Sequence, residues 1–297
     1  VLAGAVCGLV GVYVVLRHMS YIGHGLSHAI FGGAVVAYIA QWNFYVGAGL
    51  WGFVAALLIN QTVRRTKINA DAAIGVVNST LQMATKGATH LGIASDHVIE
   101  SFRNDLYLGY KTSEGMDPGL LAQIPVMEAL LTACGFTVWP MVQWEADDAL
   151  AAAAAVAESD PRVEQVLIVT PDKDLGQCVS DRVVQMDRRS NTLRDAAGVR
   201  AKFGVDPQHI PDYLALVGDA ADGYPGIRGC GAKTAARLIN KYGALEDFPP
   251  DVLGDKQSDA ELFKQLATLR TDAALFANVD ELAWAGPRPD FHKRMQE

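Results

Sequence analysis

The chain has 297 residues, a length typical of about two domains, and half of its residues are hydrophobic. Residues 1–70 contain no Asp or Glu and carry a formal charge of +4, so the rest of the chain carries −12 within a net charge of −8. This contrast excludes one homogeneous domain and is typical of a membrane segment joined to an acidic domain in water. The four cysteines stand far apart, which excludes a Cys-x-x-Cys zinc site and favours a reducing compartment.

Three apolar stretches come first along the chain, at residues 1–16, 26–40 and 44–60. Each spans about 15 to 17 residues, at or below the lower limit for a helix that crosses a bilayer, so length alone does not decide whether these stretches span one. Two crossings would place the cations that follow the first and third stretches on one side, as the positive-inside rule requires. These cations are Arg17, Arg64, Arg65 and Lys67. We therefore expect an inner-membrane tether through residues 1–60, with the acidic part in the cytoplasm.

Residues 16–30 read LRHMSYIGHGLSHAI, and residues 71–76 read DAAIGV. Over residues 1–76 the chain resembles the permease subunit of zinc and manganese ABC transporters, which implies a helical membrane segment and ABC transporter subunits as partners. His18, His24 and His28 are open to two interpretations, as metal ligands or as polar residues at a helix entrance or subunit contact. No basic segment precedes the first apolar run, so we expect an N-terminal fragment and no signal peptide.

Beyond residue 77 strand-like and helix-like patterns alternate, which predicts an α/β domain with a mostly parallel sheet flanked by helices. Buried strands are expected at residues 90–95, 137–142 and 166–170, with an Ala-rich helix at 146–158. In open parallel sheets, binding sites lie at the carboxyl ends of the strands. Side chains that follow these strands are therefore expected to meet in one crevice.

Carboxylates stand at these strand ends and at two further points of the chain. They are Asp96, Glu145, Asp147, Asp148, Asp172, Asp174, Asp219 and Asp222. So many carboxylates in one crevice would repel each other, and Mg²⁺ or Mn²⁺, which prefer oxygen ligands, would remove that repulsion. Each pair by itself is also explained by helix capping. Acidic clusters at successive strand ends favour a site for two metal ions about 4 Å apart.

Four segments, WEADDA at 144–149, TPDKDL at 170–175, PDYLALVGD at 211–219 and PGIRGCGAKTA at 225–235, occur in this order. They resemble the motifs of the bacterial 5′-3′ exonuclease family, which includes the 5′-nuclease domain of DNA polymerase I and the flap endonucleases. The resemblance covers about residues 77–285 and implies a PIN/FEN-like fold that hydrolyses DNA phosphodiesters with bound metal. It implies Asp96, Glu145 and Asp147 as ligands of a first metal, and Asp172, Asp174 and Asp222 as ligands of a second. Asp148 and Asp219 would then lie nearby or in the outer sphere.

The glycines before residue 232 are typical of a helix-hairpin-helix element, in which backbone N–H groups and a helix N-terminus meet a DNA phosphate. The residues expected to contact DNA are Gly229, Gly231, Lys233, Thr234 and Arg237. A nucleotide-binding P-loop is the alternative, but Ala232 separates Gly231 from Lys233 and no strand leads into the loop. We therefore expect no nucleotide binding.

Residues 102–111 occupy the segment that, in the family, passes over the active site. Arg103 and Lys111 are the candidates for stabilising the transition state, and Tyr110 is the candidate for stacking on a base. The alternative interpretation of this segment is a solvated amphipathic helix.

We expect three parts: a transporter-like fragment at 1–76, a catalytic α/β domain at 77–217 and a helix-hairpin-helix region at 218–297. Members of the family open with a strand carrying Asp-Gly, whereas here transporter-like sequence leads directly into Val77–Met83, which resembles the family's helix after that strand. We therefore expect the sheet to lack one strand and the first metal to lack one ligand, which would impair cleavage. Three hypotheses remain: a membrane-tethered nuclease, a transporter component with a passenger nuclease domain, and an inactive fusion.

Overall fold

The structure is a computed structural model that describes residues 70–188 and 190–289. The helices are α1 (Ala70–Thr85), α2 (Phe102–Leu106), α3 (Pro118–Leu121), α4 (Gln123–Ala133), α5 (Ala146–Ser159), α6 (Ala196–Phe203), α7 (Ile210–Val217), α8 (Ala232–Tyr242), α9 (Pro250–Leu253) and α10 (Gln257–Ala267). The strands are β1 (Gly92–Asp96), β2 (Thr137–Met141), β3 (Val166–Ile168), β4 (Val183–Asp187) and β5 (Thr192–Arg194). Short 3₁₀ turns cover Asp174–Cys178, Pro207–His209, Leu245–Asp247, Gly254–Lys256 and Val279–Leu282.

The described residues fall into two compact units, one with residues 70–83 and 116–127 and the other with 84–115 and 128–289. In the first unit, Asp117 caps α3 by accepting a hydrogen bond from the backbone N–H of Gly119 at 2.7 Å. The helix predicted at Val77–Met83 is confirmed as part of α1. All of the site described below belongs to the second unit.

The strands form two small sheets. Strand β1 pairs in parallel with β2, β3 pairs in parallel with β4, and β4 pairs antiparallel with β5. The three predicted strands are therefore confirmed, within a mostly parallel arrangement. Among the described residues no ladder joins β1 to β3.

Helix α5 packs on both sheets through its alanines. Ala149 lies against Trp139 and Met141 of β2, while Ala151 and Ala154 lie in a second cluster with residues of β3 and β4. Alanine side chains are short, so the helix backbone lies close to the strands. As a result, the first turn of α5 is held at the carboxyl ends of β1 and β3, where the acidic residues stand.

The largest apolar cluster is helical and C-terminal to the sheets. Helix α7 is buried along nearly its whole length, and α8 and α10 pack around it. Phe263 of α10 stacks on Tyr224 with ring centroids 5.6 Å apart. This core fixes the turn at 218–224, which carries two of the predicted acids.

No helix in the part of the chain that the structure describes combines the length and the hydrophobicity needed to cross a bilayer. The membrane helices predicted at residues 1–16, 26–40 and 44–60 lie outside the described residues, as do His18, His24 and His28.

Candidate metal centre

The first pair of acids is held where β1 meets α5. Asp96 ends β1, and its Oδ1 accepts a hydrogen bond of 2.6 Å from the backbone N–H of Ala146. Glu145 is the N-cap of α5 and is buried. Burial raises the pKa of Asp96, because a desolvated carboxylate is less stable than the neutral acid. The strand end and the helix start therefore bring the two carboxyl groups to the same place, as predicted.

The second pair follows β3. Asp172 is exposed, and its Oδ1 accepts a hydrogen bond of 3.1 Å from the backbone N–H of Asp174. Asp174 begins a 3₁₀ turn and is only 6% exposed. Its Oδ1 has no hydrogen-bond partner. Burial and the negative charge of Asp172 hold the pKa of Asp174 well above its usual range.

The turn at 218–224 brings two further acids to Asp174. Backbone hydrogen bonds of 2.9 and 3.1 Å join Asp219 and Tyr224 in both directions. Gly218 has a φ of +86°, and a Cβ there would lie 2.4 Å from the carbonyl carbon of Pro225, so only glycine lets the turn close. Asp174, Asp219 and Asp222 are all buried, and each offers an oxygen within 4.8 Å of the others.

These three carboxylates fit a divalent cation. They supply only hard oxygen ligands, and one of those oxygens, Oδ1 of Asp174, is buried without a partner. The sequence resemblance implied Asp172 in this group and Asp219 outside it. In the structure Asp219 belongs to the group of three, whereas Asp172 does not.

Asp147 interacts with acids of both pairs. Burial, together with the neighbouring negative charge of Asp172, raises the pKa of Asp147 to about 8. Asp96 and Glu145 add smaller effects in the same direction. The negative charges of Asp96, Glu145 and Asp172 therefore all act on Asp147, as expected for acids that share a crevice.

Two lysines neutralise part of this charge. Nζ of Lys111 lies 2.8 Å from Oε2 of Glu145 and 3.0 Å from Oδ1 of Asp222, and Nζ of Lys173 lies 2.5 Å from Oδ2 of Asp219. Burial by itself would lower the pKa of Lys111, but the charges of Glu145 and Asp222 outweigh it and raise the pKa. Lys111 thus lies in the crevice between Glu145 and Asp222.

The segment that carries Lys111 is fastened to the 218–224 turn. The backbone N–H of Lys111 donates to the carbonyl of Asp222 at 2.9 Å. A Cβ on Gly223 would lie 2.1 Å from the carbonyl oxygen of Gly109, so the two backbones touch at a position that only glycine permits. This contact fixes the position of the Lys111 backbone relative to the 218–224 turn.

Arg103 does not have the place that the sequence suggested. It is 1% exposed, and its guanidinium makes two hydrogen bonds of 2.8 Å to Asp148. Its remaining N–H groups bond to the carbonyls of Leu266 and Thr268 or approach Glu145 at 3.4 Å. Because four of its five N–H donors are hydrogen-bonded and the side chain is buried, Arg103 cannot contact a substrate phosphate, and the prediction that it stabilises the transition state is corrected.

Asp148 is likewise a structural residue. It is fully buried, and besides Arg103 its oxygens accept hydrogen bonds from the backbone N–H groups of Glu145 and Arg270 at 3.0 and 2.9 Å. Its carboxylate is saturated by these donors, so Asp148 lies beside the site as a structural residue and is not available as a direct metal ligand.

Tyr110 is 3% exposed and packs in the large helical core, with its hydroxyl 3.3 Å from Oε2 of Glu145. A ring in this position cannot stack on a DNA base. Tyr110 therefore lies beside the site with its side chain directed inward, and the prediction that it stacks on a base is corrected.

The hairpin residues lie at the start of α8. Gly231 is the N-cap of this helix, and Gly229, Gly231, Lys233 and Arg237 are exposed, whereas Thr234 is partly buried. A Cβ at Gly229 or Gly231 would meet no atom within 4 Å. The helix N-terminus is therefore open to solvent, as anion binding at this end of a helix requires.

The sequence motifs do not indicate two residues of the crevice, Lys173 and Tyr224. Lys173 lies between Asp172 and Asp174 in the chain, and that spacing could have marked it as their counter-charge. Tyr224 is buried beside the acids with its hydroxyl unpaired. The backbone bridge to Asp219, which closes the 218–224 turn, brings Tyr224 there.

Comparison with known families gives three matches. Residues 52–204 match the model described as 5′-3′ exonuclease, N-terminal resolvase-like domain, and residues 205–290 match 5′-3′ exonuclease, C-terminal SAM fold. Residues 1–86 match the ABC 3 transport family. The predicted resemblance of each part of the chain is thus confirmed.

Among individual proteins, the chain is 35% identical over 216 residues to a 5′-3′ exonuclease of Aquifex aeolicus, covering 70% of this chain and 73% of that protein. It is 35% identical to the flap endonuclease Xni of Edwardsiella ictaluri, covering 64% and 79%. It is 36% identical to DNA polymerase I of Deinococcus radiodurans, covering 59% of this chain but only 18% of that longer protein.

Among solved structures, the T5 D15 protein co-crystallized with metal ions has a similar fold, with a TM-score of 0.56 and 17% identity over 70% of this chain and 84% of that chain. A complex of the same T5 flap endonuclease with DNA and metal ions has a TM-score of 0.55 at 17% identity, over 76% and 91%. These likenesses establish the PIN/FEN-like α/β fold.

Proposed function

The chain belongs to the 5′-3′ exonuclease family, and on this premise we propose that it hydrolyses phosphodiester bonds of DNA at 5′ ends, flaps or branches with a divalent metal ion. The observation that carries the proposal is the group formed by Asp174, Asp219 and Asp222, whose buried oxygens lie within 4.8 Å of one another. The three buried carboxylates repel one another, and Lys111 and Lys173 offset only part of this repulsion. A cation with oxygen ligands removes that penalty.

We assign Mg²⁺ or Mn²⁺ to the site, because both prefer carboxylate oxygens to the sulfur and nitrogen ligands of softer metals. A divalent cation bound there would neutralise part of the charge of the scissile phosphate and would lower the pKa of the attacking water. Asp174, Asp219 and Asp222 hold one cation, with Asp172 at the open side. Asp96, Glu145 and Asp147 form the second group, which has fewer acids than the family pattern implies.

Of the two lysines in the crevice, Lys111 is the candidate to contact a substrate, and its side chain is 26% exposed. From its place between Glu145 and Asp222, its ammonium group can donate a hydrogen bond to a phosphate oxygen in the crevice. Such a preorganised donor stabilises the charge that develops in the transition state. Lys173, paired with Asp219, keeps that carboxylate turned toward its neighbours.

DNA is held at a second place, the exposed start of α8. The backbone N–H groups at Gly229 and Gly231 and the side chains of Lys233 and Arg237 would contact the backbone of one strand, with Thr234 beside them. We place the border between the catalytic part and this helix-hairpin-helix part at about residue 217, where α7 ends.

The match of residues 1–86 to a transporter family favours a second property, a membrane tether formed by residues 1–60 with the nuclease on the cytoplasmic side. Extraction of membranes with alkaline carbonate tests this tether. Retention of the full chain in the membrane fraction would support it, and release into the aqueous fraction would exclude it.

Calorimetric titration of the full chain with Mn²⁺ tests the metal centre. Asp174→Asn combined with Asp222→Asn removes two of three ligand carboxylates with almost no change in volume, so binding at this site should be lost and cleavage of a 5′-flap should stop. Asp255→Asn, at an exposed position in a distant turn, is the matched control. Unchanged Mn²⁺ binding in the double variant would refute the assignment.

A further inference from the structure

Asn104 joins the start of α2 to the segment that carries Lys111. Its Oδ1 accepts a hydrogen bond of 2.8 Å from the backbone N–H of Ser101, and its Nδ2 donates one of 2.9 Å to the carbonyl of Lys111. These partners fix the orientation of the amide, because a backbone N–H can only donate and a carbonyl can only accept. One partly buried side chain therefore binds two backbone groups on different segments.

Capping of α2 does not explain the amide of Asn104. Asn104 is the third residue of this helix and forms a capping box with Ser101. A carboxylate would accept the same hydrogen bond, and the positive end of the helix dipole would favour its charge. Capping thus leaves the Nδ2 group unexplained, and the partner of that group is the carbonyl of Lys111.

The same contacts belong to a closed ring of hydrogen bonds at the edge of the crevice. Oγ of Ser101 donates to Oε1 of Glu145 at 2.7 Å, and Nζ of Lys111 donates to Oε2 of the same carboxylate at 2.8 Å. The ring runs from Ser101 through Asn104 and Lys111 to Glu145 and back to Ser101. Within this ring, Asn104 is the link between α2 and the backbone of Lys111.

Both backbone polar groups of Lys111 are held from outside its own segment. Its N–H donates to the carbonyl of Asp222 at 2.9 Å, and its carbonyl accepts from Asn104. The side chain therefore starts from a fixed point and reaches its place between Glu145 and Asp222. A donor that is already in place stabilises developing charge without the cost of rearrangement.

We propose that Asn104 is a positioning residue for Lys111: its amide holds the Lys111 carbonyl and so keeps the ammonium group where it can contact a substrate phosphate. This inference rests on the proposed function, because it takes Lys111 to be the residue that contacts the phosphate. Asn104 acts only through Lys111.

Asn104→Asp in the full chain is the test, because aspartate keeps an acceptor for Ser101 and replaces the donor to Lys111 by a second acceptor. The backbone N–H of Lys111 should exchange with solvent deuterium faster than in the parent, since the segment is released on one side. In Mg²⁺, kcat for cleavage of a 5′-flap should fall about 10-fold, less than the loss of about 100- to 1000-fold that is typical when a transition-state donor is removed outright.

Thr112→Asp is the matched control, because it adds the same charge next to Lys111 and leaves the Asn104 amide in place. Thr112 is exposed, and its Oγ1 accepts a hydrogen bond of 3.3 Å from the backbone N–H of Glu114. An aspartate can accept the same bond. Exchange at Lys111 and kcat should both stay at the parental values. A loss of kcat equal to that of Asn104→Asp would show an effect of charge and overturn the inference.

Lys111→Met supplies the second background. In that background Asn104→Asp should cause no further loss of kcat, because no ammonium group is left to position. Equal losses in the two backgrounds, or parental exchange at Lys111 in Asn104→Asp, would overturn the inference. Parental kcat in Lys111→Met, or a parent chain that cleaves no 5′-flap, would contradict the proposed function instead, and hydrogen exchange would then still decide whether Asn104 holds Lys111.

Discussion

Arg103 and Lys111 belong to one short segment, but they differ in burial, and their charges therefore have different roles. Arg103 is enclosed and fully paired, so its charge stabilises Asp148 and the start of α5. Lys111 remains partly exposed between two carboxylates, so its charge is available to a substrate. At the scale of the residue, the surroundings of a charged group decide its role more than its type does.

Arg103→Met should destabilise the fold. The substitution would leave Asp148 as a buried carboxylate without its cation, which typically costs about 3–5 kcal/mol of unfolding free energy. Arg162→Met is the control, because Arg162 is exposed and its ion pairs with Asp160 and Asp280 lie at the surface, where such pairs contribute little to stability. Urea denaturation in chelator measures both changes, and equal effects of the two substitutions would contradict the structural role.

Asp147 should make stability depend on pH when no metal ion is bound. Its pKa is about 8 in the folded chain and about 4 in the unfolded chain, so between these values the folded state holds a proton that the unfolded state has lost. Folding is therefore favoured at low pH, and the unfolding free energy falls by up to about 1.4 kcal/mol per pH unit as the pH rises from 4 to 8. Above pH 8 this contribution is gone.

Asp147→Asn should remove that part of the slope, because an amide does not titrate. Urea denaturation in chelator at pH 5 and pH 8 compares parent and variant. The variant should gain stability relative to the parent as the pH rises, and a difference that is the same at both pH values would contradict the assignment.

At the scale of elements, each part of the site lies where an element begins or ends. Asp96 ends β1, Glu145 caps α5, and Gly231 caps α8. Backbone groups at these points have no partner within their own helix or strand, so side chains and ligands can bind them. The crevice and the hairpin thus both form where helices and strands begin or end.

Lys233→Ala should weaken binding of a branched DNA duplex and reduce its salt dependence. One phosphate contact fewer lowers the slope of log affinity against log salt by about one unit. Lys241→Ala, at the opposite end of α8, is the control and should leave the slope unchanged. Fluorescence anisotropy at several salt concentrations measures this, and parental slopes in both variants would remove Lys233 from the DNA interface.

At the scale of the molecule, the described part of the sheet is divided. Strands β1 and β3 are each paired on one side only, and α5 packs on both sheets. A parallel strand between them would join the sheets and bring its last residue to the acidic crevice. The second acidic group would then gain the ligand that it lacks relative to the family pattern.

Adding a β-strand that ends in Asp-Gly in front of residue 77 should therefore raise cleavage of a 5′-flap in Mg²⁺. Changes around a metal ligand shift activity by about 10- to 100-fold, and loss of a direct ligand should cost at least that much. The same strand ending in Asn-Gly is the control. Equal activity of the two folded proteins would show that the carboxylate is dispensable.

The sequence by itself determined three of the five strands that the structure describes, the acids at their ends and the hairpin glycines, because local periodicity and short motifs encode these features. It did not indicate β4 and β5. The family followed from the same motifs. The acidic crevice could be predicted for a further reason: parallel strands always present their carboxyl ends at one edge.

The tertiary structure alone decided which side chains face that crevice. Arg103 and Tyr110 turn inward because carbonyls near residue 267 and a helical core far along the chain receive them. Asp219 and Tyr224 come to Asp174 through a turn closed by Gly218. Local periodicity carries no information about partners a hundred residues away, so these directions were fixed only when distant elements packed together.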